Sequence, residues 1–203
     1  MTQLVLEGYT DLPADRVAAV ATFLEMLEPP GSTPSAPSRR PDLALNRVDD
    51  LDPGAYRDLF RRVGTEYLWS SRLRLDDAAL LDILRDPAVE VYLPASGDGP
   101  VGLLELDFRD MPSAEIAFFG LVPEAIGGGA GRWLMDRALE LSWRDGVDRV
   151  WLHTCTFDHP AALAFYRRSG FVPYARKIEA FPDPRIDGLL PRDAAPHVPL
   201  IGN

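Results

Sequence analysis

The chain has 203 residues, 46% of them hydrophobic, with four Trp. It is long and apolar enough to bury a core in one domain plus an extension, which excludes intrinsic disorder. A net charge of −10 with no Lys/Arg-rich face argues against a nucleic-acid partner and favours cationic partners such as amines. No apolar run approaches the roughly 18 residues of a membrane span, and no basic stretch followed by an apolar one opens the chain; a cytoplasmic protein without membrane contact is expected. The single cysteine, Cys155, rules out an intramolecular disulfide and agrees with a reducing compartment.

Residues 1–41 read as an extension outside the main domain. Leu4-Val5-Leu6 suggests a short strand, Asp11-Leu12-Pro13 a turn, and residues 14–28 a helix with Val17, Val20, Ala21, Leu24 and Leu27 on one face. Residues 29–41 hold five prolines with Ser and Gly between them and read as a linker, in which Arg39 and Arg40 could meet the phosphates of a ligand but are expected as a solvated pair. Covering a sheet edge, forming a homodimer contact and closing over a ligand are the roles open to this extension, with plain packing as the default.

Residues 42–203 form the main domain. Leu43–Val48 reads as a strand; Asp52 caps and Pro53 begins a helix that buries Tyr56, Leu59, Phe60 and Val63 and ends at Gly64. The connection Glu66–Arg72 is too aromatic for a spacer, and a second helix runs from Asp76 to about Arg85. Strands at 89–93 and 101–108 flank a hairpin signal at 96–100. A further strand starts at Glu115, a helix with Leu134, Ala138 and Leu141 inward ends at Gly146, and 149–156 alternates as a strand parallel to the one before. Asp158 is expected to cap the next helix and Phe171–Ala180 to begin a last hairpin. The tail from Phe181, with five prolines, reads as irregular.

The stretch from Glu115 to Gly146 organises the rest. A strand crosses a Pro-Glu corner, passes Gly127, Gly128, Gly129 and Gly131, and continues as an amphipathic helix. Amides with no intrahelical partner beside the positive end of a helix dipole make an anion cradle suited to a phosphate or pyrophosphate. A Walker loop is excluded because Arg132-Trp133 follow the last glycine instead of Lys-Ser/Thr, and the glycine spacing does not fit a dinucleotide fingerprint.

This stretch resembles the acyl-CoA motif of the GNAT superfamily of N-acetyltransferases, Arg/Gln-x-x-Gly-x-Gly/Ala after a strand ending near Val-x-Pro. Leu121-Val122-Pro123 precede Ile126-Gly127-Gly128-Gly129-Ala130-Gly131, so both defining glycines match, while Ile126 stands in place of the leading Arg. A second block, Asp158 to Phe171, is similar to the family's Asn-x-x-Ala-x-x-x-Tyr-x-x-x-Gly-Phe, with Ala162, Tyr166, Gly170 and Phe171 in register and His159 replacing Asn. Both motifs occur in the family's order, and the resemblance covers roughly residues 42 to 181.

The resemblance implies an α/β protein of GNAT fold, with a mixed central sheet, two splayed parallel strands at the acyl-CoA site and helices on both faces. It implies an N-acetyltransferase moving an acetyl group from acetyl-CoA to a primary amine of a small molecule or peptide by direct attack, without a metal. Cofactor contacts would fall on Leu121 and Val122, whose backbone amides are free where the strands splay, on Gly127, Gly128, Gly129, Ala130, Gly131 and Arg132, and on His159 and Ala162. Glu115 would deprotonate the amine and Tyr166 would protonate the departing thiolate. Tyr67, Trp69 and Arg72, between the first two helices, would wall the acceptor pocket. Alternation groups Glu115 with Ala117, Phe119 and Leu121, and apolar flanks favour a raised carboxyl pKa. The rival readings are transfer of another acyl group or to an acceptor oxygen, a catalytically silent CoA- or ligand-binding module, and an interaction protein built on the N-terminal helix. His153, Cys155, Asp158 and His159 carry ligand chemistry, but their split between strand and helix does not favour a metal site.

Overall fold

A computed structural model describes residues 7–31, 40–97 and 99–201. The expected strand at Leu4–Leu6, and Arg39, lie outside the described residues. One eight-stranded sheet runs through the molecule. Its strands are β1 (Arg16–Met26), β2 (Ala44–Val48), β3 (Val89–Ser96), β4 (Gly99–Pro100), β5 (Gly102–Asp107), β6 (Ser113–Leu121), β7 (Arg149–Cys155) and β8 (Val172–Pro182). The order is β2-β3-β5-β6-β7-β1-β8, with β4 paired to β3. Among the described residues only β6 and β7 pair in parallel; every other pairing is antiparallel.

Helices cover both faces. On one lie α1 (Pro53–Gly64), α2 (Asp77–Leu84) and two short 3-10 turns, Thr65–Tyr67 and Arg72–Arg74, between them. On the other lie α3 (Ala130–Ser142) and α4 (Ala162–Arg168). Each face has its own core. Tyr56, Phe60 and Leu80 are fully buried with Leu103 on the α1 side, and Leu134, Met135 and Ala138 with Leu104, Leu106 and Leu152 on the α3 side. Each such large side chain contributes about 1.5–3 kcal/mol by leaving water, which fixes which side of the sheet each helix occupies. The Asp52 side chain accepts the Ala55 amide at 2.9 Å, and Pro53 follows it, so α1 begins where its sequence dictates.

Several elements differ from the sequence expectation. The segment expected as a helix over 14–28 is strand β1. Its first half buries Val17, Ala19 and Ala21 on one face of the sheet; its second half buries Leu24 and Met26 on the other. Buried residues at 17, 21 and 24 therefore mimic helical spacing, while Val20 and Leu27, which a helix would bury, are 42% and 62% exposed. β1 lies between β7 and β8, so β8 pairs with β1 and makes no hairpin with β7.

α3 ends at Ser142 with Trp143 in an extended conformation, and Gly146 (φ 86°) belongs to a later turn. Asp158 does not cap α4, which starts after Ala161. The proline-rich tail is irregular but anchored. Arg185, 3% exposed, grips both carboxylate oxygens of Asp183 and donates to the Ala194 and Val198 carbonyls.

Candidate active site

β6 and β7 pair as parallel neighbours only at Ser113↔Arg149, Ala114↔Val150 and Glu115↔Trp151. Beyond that point they separate and open a cleft of about 750 Å³. The register of β6 against β5 decides what faces it. Leu106 pairs with Ile116, but Glu105 pairs with Phe118, so Ala117 is a bulge. Cross-strand partners share a face, so Glu115 and Phe118 join Asp107 and Glu105, whereas Phe119 and Leu121 join Leu104 and Gly102. The alternation that grouped Glu115 with Phe119 and Leu121 is thus broken at Ala117. Glu115 looks toward the α1–α2 side.

The cleft wall on that side comes from the aromatic connection. Gly64 and Gly120 let it approach: a Cβ on Gly64 would lie 2.4 Å from Trp69, and one on Gly120 would lie 2.4 Å from Val63. Tyr67, Trp69 and Arg72 all line the cleft together with Glu115 and Tyr166. Arg72 is already engaged, however. It bonds the fully buried Glu105 at 2.6 Å and lies over the Phe118 ring at 5.0 Å, while the Tyr56 hydroxyl donates to the second Glu105 oxygen at 2.6 Å. This network is the inner support of the wall. Trp69 is held by its indole N–H, which donates to Asp158 at 3.2 Å. Asp158 also accepts the Thr154 hydroxyl at 2.7 Å and the Cys155 amide at 2.8 Å, so it ties β7 to the aromatic connection across the cleft.

Glu115 is three-quarters buried in the cleft, with side-chain exposure of 23%. Desolvation, and then the nearby negative charge of Asp107, raise its pKa from 4.5 to about 7, more than the Arg72 and Arg109 charges lower it. His153 Nδ1 stands 3.8 Å away. Tyr166 is 9% exposed, its ring set edge-on to Phe119 and Phe171. Burial, with the Asp158 charge second, pushes its phenol well above the ordinary value, so it keeps its proton near neutral pH. Burial likewise pushes the Cys155 thiol to about 11, which leaves it a poor nucleophile. Among the described residues no group of three or more His, Cys, Asp or Glu could hold a metal ion, and no helix is long and apolar enough to cross a membrane.

At the end of β6 the chain enters the glycine loop. Gly127, Gly128 and Gly129 have φ of 101°, 52° and 85°, a succession that residues with a Cβ rarely adopt. A Cβ added at Gly127 or Gly131 would meet nothing within 4 Å, so the space over the loop is open. Gly131, Ile126, His159, Ala162 and Leu121 all line the cleft. Ile126 is 47% exposed and so is not a core residue. Other members of the expected set are engaged elsewhere. The Val122 amide is not free, because it donates to Val101 O at 2.9 Å from the preceding hairpin. Ala130 is buried and donates to Gly127 O, Arg132 pairs with Asp136 at 2.8 Å, and His159 Nδ1 accepts the Ala161 amide at 3.1 Å.

Sequence reasoning did not place four contributors. Asp107 faces Glu115 only because of the hairpin register, and Asp158 is a bridge where a cap was expected. Phe181, from the end of β8, lines the cleft. Arg40, expected in solvent, donates to Gly128 O at 2.9 Å, and no local pattern joins residues that far apart in the chain.

Comparison with known proteins agrees with this geometry. The acetyltransferase (GNAT) family profile matches residues 55–171. A mycothiol acetyltransferase from Beutenbergia cavernae is 38% identical over 91 residues, 44% of this chain but 30% of that protein. A GCN5-related N-acetyltransferase from Sphaerobacter thermophilus superposes with a TM-score of 0.61 at 18% identity, over 81% of this chain and 52% of that one. A tandem GNAT protein from the clavulanic acid biosynthesis pathway gives 0.55 at 17% identity, over 88% and 61%. The chain thus spans less than a third of the length of the curated relative it matches and little more than half of these structural relatives. The fold, the parallel pair with its cleft and the profile match place one assignment beyond the fold itself: the chain belongs to the GNAT acetyltransferase family.

Proposed function

We propose that the chain transfers an acetyl group from acetyl-CoA to a primary amine of a small molecule or peptide. One observation carries the reading: a carboxyl with a pKa near 7 and a protonated phenol line the same cleft, beside an open glycine loop. The loop fits a pyrophosphate, because its glycines leave empty the space that side chains would fill, and the first-turn amides of α3 offer donors. Gly127, Gly128, Gly129 and Gly131 would hold the phosphates, with His159 and Ala162 flanking the thioester arm. When bound, acetyl-CoA supplies the activated acetyl group.

The remaining work falls to the chain's own residues. An amine acceptor reaches the cleft as ammonium and must lose a proton before its nitrogen can attack. Glu115, poised near neutral pH, takes that proton at its carboxylate, directly or through one water. Tyr166 holds a proton at its hydroxyl and can give it up when negative charge develops nearby. Tyr67 and Trp69 wall the acceptor side, with Arg72 behind them as a support for that wall. The mycothiol acetyltransferase similarity favours a small-molecule acceptor over a protein.

The test is CoA release from acetyl-CoA with a panel of amines: amino acids, polyamines, aminoglycosides and lysine peptides. Acceptor-dependent release is the expected result. Tight CoA binding with no release across the panel would favour a silent binding module, and release only from another acyl thioester would move the acyl assignment.

A further inference from the structure

We infer that Arg40 is a positioning residue for the phosphate cradle: it holds the Gly128–Gly129 peptide so that the Gly129 amide faces the open side of the loop. The inference rests on the reading that the glycine loop receives the CoA pyrophosphate.

The Arg40 guanidinium is itself fixed. Its Nε and Nη2 donate to the two oxygens of Asp42 at 2.9 and 2.6 Å, a fork-to-carboxylate arrangement that sets the plane of the group. A turn closed by Leu43 N–H to Arg40 O at 2.9 Å sets its backbone. The remaining nitrogen, Nη1, donates to Gly128 O at 2.9 Å. In a trans peptide the carbonyl and the following N–H point in opposite directions. Holding Gly128 O toward Arg40 therefore turns Gly129 N–H away from it.

The orientation needs a holder. Gly127, Gly128 and Gly129 are three successive glycines in left-handed conformations, and a peptide between two glycines meets little resistance to flipping. A flip would present a carbonyl oxygen, a repulsive group for phosphate, where a donor is required. Arg40 also closes the back of the loop, since its Nη1 lies 3.5 Å from where a Gly128 Cβ would stand. At the position where the family pattern carries Arg or Gln, this chain has Ile126, so the cradle depends more on its amides. With Asp42 beside it, Arg40 forms a neutral pair, and orientation is its contribution.

The test measures CoA affinity by calorimetry, and activity with acetyl-CoA and with S-acetyl-pantetheine, which lacks the pyrophosphate. Arg40→Ala should weaken CoA binding about 5- to 30-fold, the loss of one charge-assisted hydrogen bond and the order it imposes. The KM for acetyl-CoA should rise in step, while kcat, the acetyl-pantetheine KM and the melting temperature stay near wild type. Arg40→Lys keeps the charge but loses the fork, and should behave like Arg40→Ala. Unchanged CoA affinity in Arg40→Ala, equal losses with both thioesters, or a wild-type Arg40→Lys would each overturn the inference. If the unaltered protein bound no CoA, the cofactor reading would fail, and the inference with it.

Discussion

Glu115 and Asp107 are cross-strand partners on one face of the β5–β6 ladder, yet they hold protons very differently. Burial works to raise both. At Asp107 the Arg109 side chain and amide outweigh it and hold the carboxyl below its ordinary value, whereas at Glu115 the Arg72 and Arg109 charges do not offset burial and the Asp107 charge, and the carboxyl rises to about 7. Two neighbouring carboxyls pushed apart in this way divide into a permanent anion and a proton acceptor that works near neutral pH. The β6 bulge at Ala117 keeps Glu115 on this face while Phe119 and Leu121 serve the opposite core.

Asp107→Asn tests that coupling. Removing the anion lowers the Glu115 pKa, and Arg109, freed from its partner, lowers it further. The acid limb of the pH–rate profile should shift to lower pH, by roughly 0.5–1 unit, with the fold intact. A profile that stays in place would mean that Asp107 does not set the Glu115 proton affinity.

Gly131→Val tests the cradle more cleanly than a change at Gly129, whose φ of 85° strains any side chain. Gly131 has no such φ, and a Cβ there meets nothing within 4 Å. In a helix Val is no worse than Gly, so the melting temperature should hold or rise. CoA affinity should drop about tenfold or more, because the methyl groups occupy space that the phosphates need. Calorimetry that finds full affinity would remove the pyrophosphate from this loop.

Tyr166→Phe keeps the ring contacts with Phe119 and Phe171 and removes only the hydroxyl. With chemistry rate-limiting, turnover should fall by about 100- to 10,000-fold while the KM for acetyl-CoA moves little. A loss under about threefold would assign Tyr166 to packing.

The glycine loop, the strand–helix–strand unit around it and α1 with its Asp52 cap were legible because each depends on local residues: glycines, a capping carboxylate, one clear period. β1 was not. Its buried face switches between Ala21 and Leu24, and only the completed sheet, with different layers over its two ends, explains that change. The bulge at Ala117, the Val122 amide bonded to Val101 and the Arg40 contact with Gly128 share this origin. Each is a pairing between segments whose register no local pattern specifies. Tyr67, Trp69, Arg72, Glu115 and Tyr166 do line one cleft, though Arg72 spends its strongest bond on buried Glu105.

The proposed role of Glu115 as the proton acceptor for an amine is tested most directly by the pH–rate profile of Glu115→Gln beside the unaltered protein. The unaltered protein should gain rate as pH rises through about 7, as the carboxyl loses its proton. The Gln variant should keep CoA binding, lose roughly 100-fold or more of the chemical step at neutral pH, and recover much of it at alkaline pH, where more of the amine is already neutral. Full activity of the variant at every pH would contradict the account and leave Glu115 as a buried strand carboxyl without a part in the reaction.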